Sequence, residues 1–177
     1  MGAVSIHKFF NPKRFLKILD FIFKPLLLIT FALLIYGLWQ ALYVSPPDYQ
    51  QGELVRIMYV HVPSASLSLF IYLGMAISSV AYLVWKNPLS YYMAKSLAPI
   101  GACFCFITLA TGSIWGKETW GAWWIWQDAR LVSMLLLFFL YLGYIILQSS
   151  IADRERLALA SSIIAILGAI NLSLIHI

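Results

Sequence analysis

Five long apolar runs separated by short polar breaks organise this chain. The first covers residues 25–44 and stops at Ser45-Pro46-Pro47-Asp48, where paired prolines cannot continue a helix. The second covers about 58–85 and closes at Lys86-Asn87-Pro88, and the remaining three lie at roughly 97–114, 131–147 and 157–171. Each is near the length of about 20 residues that a helix needs to cross a hydrocarbon layer. The pattern predicts an all-α fold, a polytopic transmembrane helix bundle with five visible spans, read as a single integral membrane domain over 1–177. No repeat, low-complexity tract or long linker divides it.

Composition excludes a water-soluble alternative. The chain is 62% hydrophobic and 11% charged, with a mean hydropathy of +0.86, whereas soluble domains carry about a quarter charged residues. So little polar surface could not wrap five such runs in 177 residues. The charges instead give an orientation. Lys8, Lys13, Arg14, Lys17 and Lys24 precede the first run, and Lys86, Lys95, Arg154 and Arg156 fall in the even connections, nine in all; the odd connections hold three, Arg56, Lys117 and Arg130. The positive-inside rule then predicts a cytoplasmic N-terminus, with the connection after the third run on the outer side. The first run has a long basic leader and no small-x-small cleavage pattern, so it reads as a retained helix. The net charge of +5 is thus an orientation signal. No aromatic-interleaved basic pattern of the nucleic-acid-binding kind accompanies it.

Candidate chemistry concentrates on that outer side. Five of the seven tryptophans (Trp115, Trp120, Trp123, Trp124 and Trp126) crowd into a Gly-spaced connection at 115–130. Each offers an apolar ring and one N–H donor, so together they make a wall for a planar, greasy ligand. Trp39 and Trp85 need only the aromatic belt at the membrane interface. His61 enters the second run from the same side. Two readings are open for it: a metal ligand, or an interfacial imidazole bonded to a nearby carbonyl. Pro63 is expected at an early helical position or at a kink, with the positive end of the helix keeping the imidazole neutral. Arg130 and Lys117 can hold ligand carboxylates or snorkel. Asp128 can cap the fourth helix or orient a ligand-binding group. Cys103 and Cys105 lie two apart in one helix, pointing about 200° from one another, so they cannot pair and are expected to be buried packing residues. The chain carries no hydrolase- or transferase-type constellation, and an enzyme is not expected.

These residues bring a family into view. The tryptophan segment resembles the WWD signature of the haem-handling membrane proteins of cytochrome c maturation, and its surroundings look most like the CcmC family. His61-Val-Pro-Ser-Ala, Gly112-Ser-Ile-Trp-Gly-Lys, Trp120-Gly-Ala-Trp-Trp-Ile-Trp, Asp128-Ala-Arg-Leu and Leu140-Tyr-Leu-Gly carry the likeness, which covers about residues 53–147. One departure is Gln127, standing between Trp126 and the Asp128 block.

The resemblance implies a six-helix protein of the bacterial inner membrane that binds haem b at the outer face. It would pass the haem to a periplasmic haem chaperone, together with the ATP-binding cassette and membrane subunits of the maturation system. His61 would be an axial ligand of the iron, with Trp115, Trp120, Trp123, Trp124, Trp126, Asp128 and Arg130 as cofactor-binding residues. The related alternative is a haem lyase that attaches haem to apocytochrome; a different class is a non-haem transporter scaffold. The family also has a sixth helix and a second axial histidine in the loop before it, whereas this chain stops in or just after the fifth run. Its last six residues, 172–177, can be encoded by CTGTCTCTTATACACATC, the transposase mosaic end of sequencing libraries. A non-native tail is therefore expected there, with His176 an accident of translation.

Overall fold

The computed structural model describes residues 12–175. Lys8, one of the basic leader residues, and His176 lie outside that range. The chain divides into two compact units, one ending at Pro47 and one beginning at Asp48.

The first unit is a helix, α1 (Pro12–Trp39), ending in a π-helical turn at Gln40–Val44. Ser45 closes that turn by donating its backbone N–H to the Gln40 carbonyl at 2.9 Å, a wider ring than an α-helix makes. The helix starts well before the expected residue 25, and Pro25 lies in its interior. Apolar and basic residues alternate through residues 13–24 without a breaker, so the helical ladder continues into the leader.

The second unit holds α2 (Val55–Trp85), α3 (Pro88–Trp120), α4 (Ala129–Ser150), α5 (Arg154–Ala169) and the short α6 (Asn171–Ile175). Among the described residues no strand occurs; a single bridge pairs Asp48 with Gly52. Five helical segments across the two units are long and apolar enough to cross a membrane, and the protein is an integral membrane protein. The starts of three helices are fixed by side chains. Asn87 accepts from the Leu89 amide with Pro88 at the first helical position, Asp128 accepts from the Arg130 amide, and Asp153 accepts from the Glu155 and Arg156 amides. Lys86 ends α2 in the left-handed conformation at φ 51°, and Gly121 ends α3 there at φ 75°.

From α2 to α5 each helix runs antiparallel to the next, and they pack as a ring, with α2 touching α3 and α5 while α4 touches the same two. The N-termini of α2 and α4 and the C-termini of α3 and α5 therefore share one end. Inside the ring many residues are small or hydroxylated: Ser64, Ser68, Ala76, Ala98, Ala102, Thr108, Ser161 and Ala165 are buried, alongside Met75, Met134 and Leu137, while Leu73, Ile77, Ile100, Phe106, Leu136 and Phe139 face outward. Lipid tails are as apolar as leucine, so apolar contact does not drive helices together in a bilayer; close approach through small residues does. Two of the buried hydroxyls return to their own helix, Ser161 to the Leu157 carbonyl at 2.7 Å and Thr108 to the Phe104 carbonyl at 2.8 Å.

Two tyrosines key the ring together. Tyr72 of α2 and Tyr141 of α4 meet edge to face at 4.9 Å, and Tyr141 donates its hydroxyl to the Ser68 carbonyl at 2.7 Å. Each ring lies over a glycine of another helix, Tyr141 over Gly101 of α3 and Tyr72 over Gly168 of α5. A Cβ at either glycine would overlap the tyrosine. Cys105 joins this core, but Cys103 is exposed, which corrects the expectation that both are buried. The 200° between them forces the result, since a helix that turns one toward the bundle turns the other away.

Gly101→Ala should therefore destabilise the bundle by about 1–3 kcal/mol through overpacking. Tyr141→Phe, which removes only the bond to Ser68, should cost under about 1 kcal/mol. Denaturant unfolding in detergent micelles measures both, and equal costs would refute the packing account.

The tryptophan-bearing end and its histidine

Half of the expected loop at 115–130 is helix. Lys117, Glu118 and Thr119 are polar but not helix-breaking, so α3 continues to Trp120 and carries Trp115 and Trp120 on its last turns. Only residues 121–128 are irregular, and they hold Trp123, Trp124 and Trp126. Gln127 falls within this irregular stretch, so its presence does not rotate α4. The start of α4 is reset by the Asp128 cap.

His61 sits on the seventh residue of α2, because that helix begins at Val55 and not near residue 58. Pro63 is accordingly in the helix interior, not in its first turn. The charge at a helix end fades within one turn, so the helix terminus does not set the state of this imidazole, contrary to the expectation from the sequence. The neighbouring helix α3 is what the ring packs against. His61 Nδ1 lies 3.0 Å from the Thr111 hydroxyl. Its ring is 6.3 Å from that of Trp115, tilted by 46°. Gly112 lies beneath the imidazole, and a Cβ there would stand 2.9 Å from His61 Cε1. Thr111, Gly112 and Trp115 thus spend a single turn and a residue of α3 on one histidine of α2. Thr111 and Gly112 carry no signal of this role in the sequence, since the contact joins residues 50 positions apart.

The tryptophans form two linked sets. Trp115 and Trp120 lie 5.9 Å apart on α3, and Trp124 and Trp126 meet edge-on at 5.7 Å in the loop. Trp115 is steadied from outside the cluster by donating its indole N–H to the Gln51 side chain at 3.2 Å. Gln51 is in turn held by a turn in which Asp48 accepts from the Gln50 and Gln51 amides at 2.8 and 2.9 Å. The loop is tied to α3 by Ser113, which donates to the Trp123 carbonyl at 2.8 Å, and by Lys117, which donates to the Gly121 carbonyl at 3.3 Å. Trp120, Trp123 and Trp126 stay exposed. The Trp124 indole nitrogen is buried without a partner among the described residues.

A cavity of about 160 Å³ connects the histidine to the head of α4, lined by His61, Thr108, Gly112, Arg130, Met134 and Ile175 among others. Arg130 reaches this cavity while pairing with Asp128, its terminal nitrogen 2.7 Å from the carboxylate. Asp128 thus caps α4 and holds Arg130 at once. No group of three or more histidine, cysteine or acidic side chains gathers for a metal ion among the described residues. This end presents one imidazole, one guanidinium and open indole faces.

Both loop carboxylates are held below the ordinary aspartate value of 3.8, Asp128 chiefly by the Arg130 side chain and Asp48 by the Gln51 and then the Gln50 amides. A depressed folded pKa gives stability that is present above the unfolded value and lost as pH falls through the folded one. Tryptophan emission should hold steady from neutral pH to about 5 and change only below the ordinary aspartate range. A transition near pH 6 would contradict this assignment. Asp128→Ala should weaken the head of α4 by about 1 kcal/mol, whereas Asp128→Asn keeps the cap; unfolding midpoints separate the two.

Residues 5–177 match the family Heme exporter protein C, CcmC. The chain is 47% identical over 165 residues to the Heme exporter protein C of Bradyrhizobium diazoefficiens, covering 93% of this chain and 62% of that protein. It is 43% identical over 171 residues to that of Haemophilus influenzae, covering 97% and 69%, and 41% identical over 172 residues to that of Escherichia coli, covering 97% and 70%. The chain therefore spans less than two thirds of the Bradyrhizobium relative's length. With the family matched along nearly all of its residues, this chain belongs to the CcmC family of heme exporter proteins.

Proposed function

We propose that this chain carries the haem-binding end of a bacterial inner-membrane protein that binds haem at the outer face and delivers it to a periplasmic haem chaperone during cytochrome c maturation. The observation that carries the reading is the meeting of His61, Arg130 and the α3 tryptophans around one end of the bundle. Haem is flat, apolar over its faces, anionic at one edge and open to an axial nitrogen at iron. Each property has a counterpart here. His61 supplies the nitrogen, Arg130 the fork for a propionate, and Trp115, Trp120, Trp123, Trp124 and Trp126 the apolar surface. Asp128 acts by steering Arg130.

Haem here is cargo, and the protein's work is to bind, orient and release it without making or breaking covalent bonds of its own. Exposed Trp123 and Trp126 are the surfaces left for a chaperone to meet. The relatives' name, heme exporter protein C, supports membership of a haem-exporting assembly, and ATP-binding cassette and membrane subunits are the partners proposed for it. The nine-to-three distribution of basic residues supports a cytoplasmic N-terminus.

The test is the visible spectrum of the purified full chain supplied with haem. Wild type should give a Soret band that is lost or shifted in His61→Ala. Gly112→Ala, which pushes the imidazole from its seat, should weaken haem binding by about tenfold or more. A folded wild-type protein without a Soret band would overturn the haem reading in favour of a scaffold role.

A further inference from the structure

The geometry around His61 points to a role for Thr111. We propose that Thr111 is a positioning residue that fixes His61 as its Nδ1–H tautomer and so leaves the imidazole lone pair on Nε2. The link to haem rests on the function proposed above; the tautomer assignment does not.

A single proton decides the tautomer. A threonine hydroxyl has one hydrogen to give and two sites at which to accept. Thr111 Oγ1 lies 2.7 Å from the Ile107 carbonyl oxygen and 3.3 Å from that of Thr108. Two oxygens at 2.7 Å repel unless a hydrogen lies between them, and a carbonyl has none to offer. The hydroxyl hydrogen is therefore committed to Ile107. Oγ1 then meets His61 Nδ1 at 3.0 Å only as an acceptor, so the hydrogen in that contact belongs to Nδ1. A neutral imidazole protonated at Nδ1 has its lone pair at Nε2.

The surroundings keep that arrangement in place. Gly112 presents only its backbone to the ring edge, with Nε2 4.0 Å from where its Cβ would stand and Cε1 at 2.9 Å. A larger residue would force the ring off Thr111. The side-chain hydrogen bond that holds His61 uses Nδ1, and the imidazole is one wall of the cavity. A carbonyl-anchored hydroxyl on the far nitrogen also makes the ligating nitrogen a stronger donor, the usual outer-shell effect at metal-bound histidines. Thr111 therefore does chemically what its neighbour Gly112 does sterically.

The experiment uses the full chain without haem, labelled with ¹⁵N-histidine. Long-range ¹H–¹⁵N correlation reads the protonated nitrogen, and the His61 signals are those missing from His61→Ala. Wild type and Thr111→Ser should both show Nδ1–H. Thr111→Val, which keeps the shape and removes the hydroxyl acceptor while leaving the Thr108 backbone carbonyl beside the ring, should raise the Nε2–H share of His61, and on adding haem should bind it about 10- to 100-fold more weakly while Thr111→Ser binds as wild type. An Nε2–H tautomer in wild type, or a Thr111→Val spectrum unchanged from wild type, would overturn the proposal. If Thr111→Val does not fold, Thr111→Ala takes its place as the variant without the hydroxyl. A tautomer that responds as expected in a protein showing no Soret band would leave Thr111 in its role and remove the haem reading alone.

Discussion

Helices in a bilayer are held together by how closely their backbones approach, and the rest of this molecule depends on that constraint. Burying a leucine between two membrane helices gains little over leaving it in lipid. The sequence accordingly reverses the soluble pattern, with serine, alanine and glycine inside and leucine, isoleucine and phenylalanine outside. The tyrosines over Gly101 and Gly168 convert close approach into register. With Tyr144 they are the largest fully buried side chains, and each of the two fits only because the facing position lacks a Cβ.

The histidine end reuses the same device. Gly112 lets α2 come near enough to α3 for an imidazole to reach a threonine hydroxyl, as Gly101 lets α4 come near enough for a phenol to reach across to α2. In each case a glycine admits a ring and a hydrogen bond fixes its rotation. The core uses this pair of contacts for stability and the end of the bundle uses it for aim. Packing and function are thus continuous along α3, and one helix face carries Ala98, Gly101, Cys105, Thr108 and Gly112 in succession.

Much of the architecture is legible along the chain because membrane spans announce themselves by length and apolarity. The caps are legible too, since Asn87 and Asp128 stand immediately before helical runs, as Asp153 also does. Helix ends are not. Residues 115–120 change in polarity and include Gly116, which the helix tolerates, and 55–57 are as helix-compatible as the residues after them, so α3 and α2 run past the apolar stretch. His61 and the tryptophans can be picked out by residue type. Their supports cannot, because Thr111, Gly112 and Gln51 owe their roles to neighbours far away in sequence, and a threonine inside an apolar run has no signature of its own. The cysteines differ again. Their angular separation is fixed by helix geometry, yet residue type alone suggests burial for both, and only the position of the bundle shows which one must turn outward.

The tryptophan cluster is built half on a rod and half on a strap. Trp115 and Trp120 move only as a 33-residue helix moves, whereas Trp123, Trp124 and Trp126 hang on a short irregular segment pinned at Gly121 and Asp128. A surface made in that way has a fixed face that can define position and a second face whose spacing is governed by two pins. Shape matching to a flat guest is then a property of the rod, while accommodation of whatever approaches from solvent falls to the strap.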